Sequence, residues 1–566
     1  MVSVEDIRME VLRWALANAV AHGGRGDAKS VMGKIISEFP GWKTKISELK
    51  AIVDEIVAEV NSLSLEEQKI KIEEVGKVEI QKKEKVRGLP ELPGVESGKA
   101  VVTRFAPNPN GPIHLGNIRA AILSHEYAKK YGGKFILRFE DTNPENVLLE
   151  MYELIKRDLR WLGLSWDEEH VQSDRMQIYY DRCEWLLREG KAYVCICPVE
   201  DFRFHRDHGE SCPCRGLSPT THLERWRRMI AGDYDEGVAV VRVKTDLNHP
   251  NPAVRDWPAL RVVKKPHPRV GTRFPVWPLY NFSVSIDDHE MGVTHILRGK
   301  EHEVNEERQR TLYAHFGWKY PVAIQYGRLN VPGAPLSKSQ IVREIKEGKI
   351  SGHDDVRLAT VSALRRRGIS PEAIRQLILD VGITLVDSSI SWENLYSYNR
   401  KILDKTAGRY FFVGNPRKLV VSGFPAIREV KLHLHPSNPE AGERVVPLEV
   451  DDGKVIFHVP WDDVKDLKEG DLFRLKDLMN VRLKKKAEIL EGEFFGLGVI
   501  DVPKFQWVSK AALPMEILFP DGASCRGLVE PAVAGLEPGT VVQFERFGFV
   551  RIETITPEVK GIYAHR

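Results

Sequence analysis

The segment from Arg104 to Asn117, RFAPNPNGPIHLGN, constrains this chain more than any other stretch. Ahead of it, Ala100 to Thr103 is a short apolar, β-branched run that reads as a buried strand. Behind it, Ile118 to Tyr131 spaces its apolar residues at helical intervals and stops at Gly132-Gly133, a common helix exit. The proline- and asparagine-rich stretch between them is therefore predicted to turn from the carboxyl end of a strand into the mouth of a helix. Ligands bind at such turns in open α/β sheets. His114 and Gly116 fall where unpaired N–H groups and the positive dipole end of a helix suit phosphate oxygens. Gly116 lets a flat ring approach the backbone, and an imidazole at position 114 can donate to a phosphate. A lone His-x-Gly would fit an exposed histidine beside a helix cap better, so the surrounding residues must decide.

At 566 residues the chain exceeds one core and is expected to hold roughly three to five domains. With 83 basic and 80 acidic side chains the net charge is +3, so a polyanion would have to be met by local basic faces. Arg365-Arg366-Arg367 and Lys484-Lys485-Lys486 are the candidate faces, although such runs are more often plain solvated surface. No window is apolar for the ~20 residues of a membrane span, and the first residues lack a signal-peptide core, so a soluble, cytoplasmic protein is expected.

The pattern along the chain is modular. Residues 1 to about 72 are helical in period, and Glu73 to Gly94 is charged, lacks an apolar period and reads as a linker. An α/β core begins near Ala100, and Lys134 to Thr142 supplies a second strand that closes a βαβ unit. Helices are predicted over Tyr152 to Leu162 and Gln177 to Glu189. A mixed, proline-rich stretch from about Ala192 to Arg273 reads as an insertion, after which Tyr280 to Arg298 reads as strand around a turn. Ser351 to Val413 is helical and basic. Beyond Gly414 short alternating runs such as KLVVSGF, KVIFHV and VVQFERFGFVRIE point to β-barrels, two by their number.

Four of the six cysteines cluster as Cys195-Ile196-Cys197 and Cys212-Pro213-Cys214. Two close pairs in a reducing setting match a closed, tetrahedral zinc site better than disulfides, with His205 and His208 as alternative ligands in the intervening loop. Reduced pairs without a metal are the plainer alternative.

Taken together, His114-Leu115-Gly116-Asn117 and the preceding RFAPNPNG resemble the HIGH signature of class I aminoacyl-tRNA synthetases in its glutamate/glutamine subgroup. Asn117 stands where the signature has its final histidine. Pro335-Leu336-Ser337-Lys338-Ser339 resembles the KMSKS signature of the same class, with Lys338 at the second lysine and Ser337 ahead of it. The resemblance implies a multidomain α/β plus all-β chain. Its parts would be a helical module and linker (1–96), a Rossmann-type parallel-sheet catalytic domain (97–350), a helical stem-contact region (351–413) and two β-barrels that read the anticodon (414–566). The insertion at about 192–273 would carry zinc and meet the acceptor stem. It further implies ATP as substrate with Mg²⁺ on its phosphates, and His114, Gly116, Asn117, Ser337 and Lys338 around the nucleotide.

Carried over residue by residue, Arg104, Glu140 in LRFEDTNP and Tyr280 would hold the amino acid. Arg298 in ILRGKEH stands where members specific for glutamate have arginine, and a guanidinium fork suits a γ-carboxylate and not an amide. The expected activity is therefore ligation of L-glutamate to tRNA(Glu) through a glutamyl-adenylate, by a monomer. Archaeal-type members commonly charge tRNA(Gln) as well, and the sequence leaves open whether it is a second partner here. Arg365, Arg366, Arg367, Arg474 and Arg482 are candidate tRNA contacts, while Trp507 reads as core. The rival readings are a glutaminyl enzyme, which Arg298 opposes, and an inactive tRNA-binding paralogue, which the retained His114 and Lys338 oppose.

Overall fold

A computed structural model describes residues 3–21, 23–76, 89–333 and 338–566. The chain divides into two compact units, residues 1–87 and 88–566. The first contains α1 (Val4–Ala21), α2 (Ala28–Glu38), α3 (Ile46–Ser62) and α4 (Leu65–Val75). Ile7, Val11 and Ala15 of α1 share one apolar core with Leu49, Val53 and Ile56 of α3, which is the helical period seen in the sequence. Asp27 caps α2 through the Ser30 N–H, and Ser64 with Glu67 forms a reciprocal capping box on α4. Much of the expected linker, residues 77–88, lies outside the described residues.

In the second unit β1 (Val102–Phe105) leads through the proline-rich turn into α5 (Leu115–Lys130), followed by β2 (Lys134–Phe139), α6 (Leu149–Trp161) and β3 (Glu168–Val171). The three strands are parallel in that order, with Arg104 opposite Ile136 and Arg138 opposite His170. A Cβ at Gly133 would fall 1.9 Å from the Val101 carbonyl oxygen, so the step from α5 back onto the sheet requires glycine there. After α7 (Met176–Arg188) come β4 (Ala192–Cys195), α8 (Val199–His208), α9 (Pro219–Ala231), β5 (Val240–Val243), β6 (Pro258–Val262) and β7 (Val276–Pro278). These four strands form an antiparallel sheet with a core of its own around Trp226, Trp257 and Trp277.

The parallel layer resumes with α10 (Tyr280–Glu290), β8 (His295–Gly299), α11 (Glu303–Phe316) and β9 (Val322–Tyr326), β8 and β9 being parallel. The Thr294 N–H donates to the Val102 carbonyl at 3.0 Å and aligns β8 with β1. The expectation of strand on both sides of a turn over Tyr280 to Arg298 is corrected here, since Tyr280–Glu290 is a helix. Every residue from Asn281 to Asp288 is buried, so no polar face marks a helical period, and burial outweighs the strand preference of Val284 and Ile286.

Next come β10 (Leu329–Asn330), α12 (Lys338–Lys346), α13 (Val361–Arg366), α14 (Pro371–Val381), β11 (Ser388–Ser389) and α15 (Trp392–Leu403). The remainder is β-rich, in a seven-stranded and an eight-stranded sheet among the described residues. Arg409–Tyr410 and Phe412–Gly414 pair with Gln543–Phe544 and Gly527–Val529. The strands from Pro416 to Ser509 are thus inserted into a sheet that residues 409–414 begin and 513–565 complete. A simple succession of two modules after Gly414 does not describe this pairing, which links residues more than a hundred positions apart and leaves no local signal. No described helix is long and apolar enough to cross a membrane.

Candidate functional site

The turn after β1 works through its main chain. Carbonyls of Pro107, Asn108 and Pro109 accept in succession from the Glu140 N–H (3.1 Å), the Lys338 ammonium (3.0 Å) and the Leu148 N–H (2.9 Å). Proline lacks an N–H of its own, so such a stretch offers carbonyls without competing donors. One loop thereby holds the end of β2, the start of α12 and the lead into α6. On its far side Leu115 donates to the Ala359 carbonyl and Val361 to the Ile113 carbonyl, tying the mouth of α5 to the start of α13.

His114 is the N-cap of α5 and is 8% exposed. Its Nδ1 accepts the Gly116 N–H at 3.1 Å, so the proton of the neutral ring sits on Nε2. Burial, and then the Lys338 charge, lower its pKa to about 4, which keeps the ring neutral at working pH. A Cβ at Gly116 would meet the His114 ring at 3.0 and 3.1 Å, so glycine at 116 is what allows the imidazole to fold back over the helix mouth. Asn117 Oδ1 accepts the His114 N–H at 3.3 Å, completing a capping box with its carbonyl side and leaving the amide NH₂ as a donor.

These groups line a cavity of about 630 Å³, together with Arg104, Glu140, Tyr280, Arg298, Tyr326 and Lys338. All the expected nucleotide and amino-acid residues except one therefore border a single space. The exception is Ser337, which lies with Pro335 and Leu336 outside the described residues. Lys338 is half-buried, and its removal from water lowers the ammonium pKa to about 8.

Beneath the cavity lies a charge network built on Asp287 and Asp288, which the sequence reading did not single out. Asp288 accepts from Arg104 Nε and Nη2 at 3.2 and 3.3 Å and from Arg138 Nη1 at 2.7 Å. Arg138 also donates to Glu140 at 3.1 Å, while Asp287 takes Arg175 at 2.8 Å and the Tyr179 hydroxyl at 2.6 Å. Three guanidinium groups thus face three carboxylates in a water-poor layer. Burial alone would raise the Asp288 pKa, but Arg104 and Arg138 bring it below the ordinary carboxylate value. At Glu140 burial prevails over Arg138 and Arg104 and the carboxyl is pushed up, so an incoming cation would complete its compensation. The adjacent Asp287 and Asp288 were hidden because their stretch reads as strand, and a helix turns both inward.

Arg298, on β8, is 5% exposed; its Nη1 donates to Gln309 at 2.8 Å and its Nη2 to the Tyr320 hydroxyl at 3.0 Å and Glu306 at 3.4 Å. Another buried arginine, Arg119 of α5, has no carboxylate partner among the described residues. It donates to the Gly327 carbonyl (2.8 Å) and the Gly382 carbonyl (2.7 Å) and lies 4.4 Å over the Tyr326 ring.

Away from this cavity the four clustered cysteines do meet. The sulfurs of Cys195, Cys197 and Cys212 lie within 4.8 Å of one another, and Cys214 Sγ is 3.6 Å from Cys197 Sγ. Four thiolates around a tetrahedral zinc would be about 3.8 Å apart; Cys195, Cys197 and Cys212 fit that spacing, while Cys214 adjoins them through Cys197 and accepts from Arg225 at 3.3 Å. His205 faces Glu210 at 3.5 Å and His208 packs at a tilt against Phe204, so neither is turned to the sulfurs.

The basic clusters are corrected in part. Arg367 is 2% exposed and bonds Tyr396, and Arg474 is 7% exposed and bonds Asn480 and the Leu497 carbonyl. Both hold the fold from within, because a guanidinium fork satisfies several buried acceptors at once. Arg365, Arg366 and Arg482 remain part-exposed, although Arg366 is paired with Glu553 at 2.6 Å. Trp507 is buried, as expected, and donates to the Lys476 carbonyl.

Three family models match the chain: the class I tRNA synthetase (E and Q) catalytic domain over residues 100–405, and two anticodon-binding domains of the same group over 407–495 and 504–553. A glutamate–tRNA ligase of Pyrococcus abyssi is 51% identical, covering 99% of this chain and 100% of its own. One from Thermococcus kodakarensis is 50% identical over 100% of both. A solved glutamate tRNA ligase of Elizabethkingia meningosepticum, in complex with its amino acid, is 22% identical with a TM-score of 0.38, covering 55% of this chain and 70% of its own.

Proposed function

Because the chain belongs to the class I tRNA synthetases for glutamate and glutamine, we propose that its cavity activates L-glutamate with ATP and passes it to tRNA(Glu). The overall reaction is ATP-dependent ligation, giving glutamyl-tRNA, AMP and pyrophosphate. The observation that best supports the pocket assignment is that one cavity joins the His114 and Lys338 wall to Arg298, Glu140 and Tyr280.

In the first step a glutamate α-carboxylate oxygen bonds to the α-phosphorus as the bond to the pyrophosphate oxygen breaks. Neutral His114 donates from Nε2 to a phosphate oxygen, and the amide of Asn117 offers a second donor beside it. The Lys338 ammonium offsets charge that builds on the leaving pyrophosphate. Mg²⁺ bound with ATP would supply further charge compensation. Glu140 meets the substrate ammonium, Arg104 and Tyr280 frame the amino acid, and Arg298 pairs with its γ-carboxylate. In the second step a terminal ribose hydroxyl of the tRNA attacks the activated carbonyl and AMP leaves. No protein side chain forms a covalent bond, and rate comes from alignment and fixed charge.

We assign residues 97–350 to catalysis, with 192–273 meeting the acceptor end. Residues 351 to about 408 would meet the inner corner of the tRNA, and the β-rich remainder from 409 would close as two barrels on the anticodon, where Arg482 would contribute. The protein would act as a cytoplasmic monomer. Charging of purified tRNA(Glu) and tRNA(Gln) with each amino acid tests the reading. Glutamate is expected on tRNA(Glu) and, as in archaeal-type members, on tRNA(Gln), and glutamine on neither. Glutamine on tRNA(Gln) would make it a glutaminyl enzyme, and tRNA binding with no pyrophosphate exchange would make it an inactive paralogue.

Zinc held by Cys195, Cys197, Cys212 and Cys214 would be structural, tying the end of β4 to the turn after α8. Metal analysis of the purified chain is expected to return about one zinc per molecule, lost in a Cys212→Ser, Cys214→Ser double variant. Four freely titrating thiols without chelator and no bound zinc would reject the assignment.

A further inference from the structure

The wall behind Arg298 is made by helix α11, which turns a polar face inward. His302 just ahead of it and Asn305, Glu306 and Gln309 within it stand at helical spacing on one side, and Gln309 is only 1% exposed. Its amide is held in one orientation. Oε1 accepts from Arg298 Nη1 and from the Tyr320 hydroxyl, each at 2.8 Å, while Nε2 donates to Asn281 Oδ1 at 3.1 Å. Two donors on one side and an acceptor on the other leave no room for a flip. The chain of contacts continues from Asn281 to Asn305 (3.0 Å), from Asn305 to His302 (3.1 Å) and from His302 to the Tyr280 hydroxyl (3.4 Å). Arg298 and Tyr280, which both line the cavity, are therefore joined by one string of neutral amides and an imidazole.

Charge makes the choice of glutamine significant. The nearest carboxylate to Arg298 is Glu306, whose Oε1 is held by Arg310 at 2.7 and 2.9 Å and whose Oε2 takes Gln325 at 3.0 Å. Arg298 reaches that Oε2 at 3.4 Å, a longer contact than its 2.8 Å bond to Gln309. Its shortest bond is thus to a neutral acceptor, and its buried Nε has no hydrogen-bond partner among the described residues. A guanidinium held this way is oriented mainly by a neutral acceptor and shares its one long ion pair, to Glu306, with Arg310, so much of its charge stays available to a ligand.

We propose that Gln309 is a specificity-determining positioning residue: it aims Arg298 through a neutral acceptor, so that the guanidinium selects an amino acid with a side-chain carboxylate over its amide. This rests on the reading that Arg298 pairs with the γ-carboxylate. Gln309→Glu keeps the shape and the acceptor for Arg298 and Tyr320 but adds an internal carboxylate that competes with the substrate's. Gln309→Met removes the acceptor without adding charge.

The experiment is pyrophosphate exchange by the full chain with tRNA(Glu) present, for glutamate and for glutamine, in the parent, Gln309→Glu, Gln309→Met and Arg298→Cys. Gln309→Glu is expected to raise KM for glutamate by about tenfold or more, to leave KM for ATP within about twofold, and to lower the glutamate-to-glutamine preference. Gln309→Met should lose less for glutamate than Gln309→Glu. If the residue only supports packing, the order reverses, because the carboxylate retains an acceptor that methionine lacks.

An unchanged glutamate KM in Gln309→Glu, with glutamate lost in Arg298→Cys, would overturn the inference and leave the pocket assignment standing. Intact glutamate activation in Arg298→Cys would remove both. Equal losses for ATP and glutamate in Gln309→Glu, or a fall in Tm that Gln309→Met does not share, would also overturn it.

Discussion

Arg298→Cys is expected to cut kcat/KM for glutamate activation by about 10³-fold or more, with KM for ATP nearly unchanged. Sites built around a buried polar partner reject ligands that cannot pair by ~10⁴ in favourable cases, and here the partner itself is removed. The guanidinium is 5% exposed, so water cannot stand in for it, and a γ-carboxylate entering the variant would be desolvated without compensation. Cysteine also removes one of the two donors to Gln309 Oε1 and the guanidinium donor to the Tyr320 oxygen. Glutamine should lose far less, because an amide gains little from an acceptor-free fork. Exchange rates for both amino acids at saturating ATP check this, and equal losses for the two would mean that Arg298 supports the wall and does not read the side chain.

Lys338→Met should lower kcat by about 10²–10³, the size of effect seen when one fixed donor to a developing charge is deleted. Its pH signature is sharper than its magnitude. Burial lowers the ammonium pKa to about 8, so the free enzyme loses this charge as pH rises through that value. For the parent, kcat/KM for ATP should therefore fall above about pH 8. Bound phosphates favour the charged form, so the fall in kcat at saturating ATP should come at higher pH. Lys338→Arg keeps its charge throughout and should flatten the alkaline limb of kcat/KM even if its rate is lower. His114, with a pKa lowered to about 4, is neutral over the whole working range and should add no acidic limb. An alkaline limb that persists unchanged in Lys338→Arg would assign it to another group.

What the sequence made legible was local. The strand, turn and helix around His114 carry their own punctuation in Pro107, Pro109 and Gly132-Gly133, and the paired cysteines carry their spacing. What stayed hidden depended on burial or on distant pairing. Tyr280 to Glu290 lacks a polar face because it is packed all round, so the period that marks an exposed helix is absent. Asp287, Asp288 and Arg175 become a single charge layer only once that helix lies across the sheet. The neutral aiming of Arg298 by Gln309 depends likewise on a helix face and a strand that only the fold brings together. Arg367 looked like surface because nothing in a run of basic residues tells which one turns inward, and Arg474 stands between Phe473 and Leu475 with no neighbour to show what it bonds. The pairing of Arg409 with Gln543 is a contact across most of the β-rich region, which no window of neighbouring residues records.

Arg119 adds a consequence for how this enzyme responds to its surroundings. Its partners are two main-chain carbonyls and an aromatic face, and none of them titrates near neutrality or exchanges a counterion. The separation it sets between α5 and the Tyr326–Gly327 wall should therefore hold across the pH values and ionic strengths at which carboxylate-paired arginines weaken. A shift in ATP affinity with alkaline pH can then be ascribed to protons on the lysine, since the frame against which the nucleotide is measured stays still.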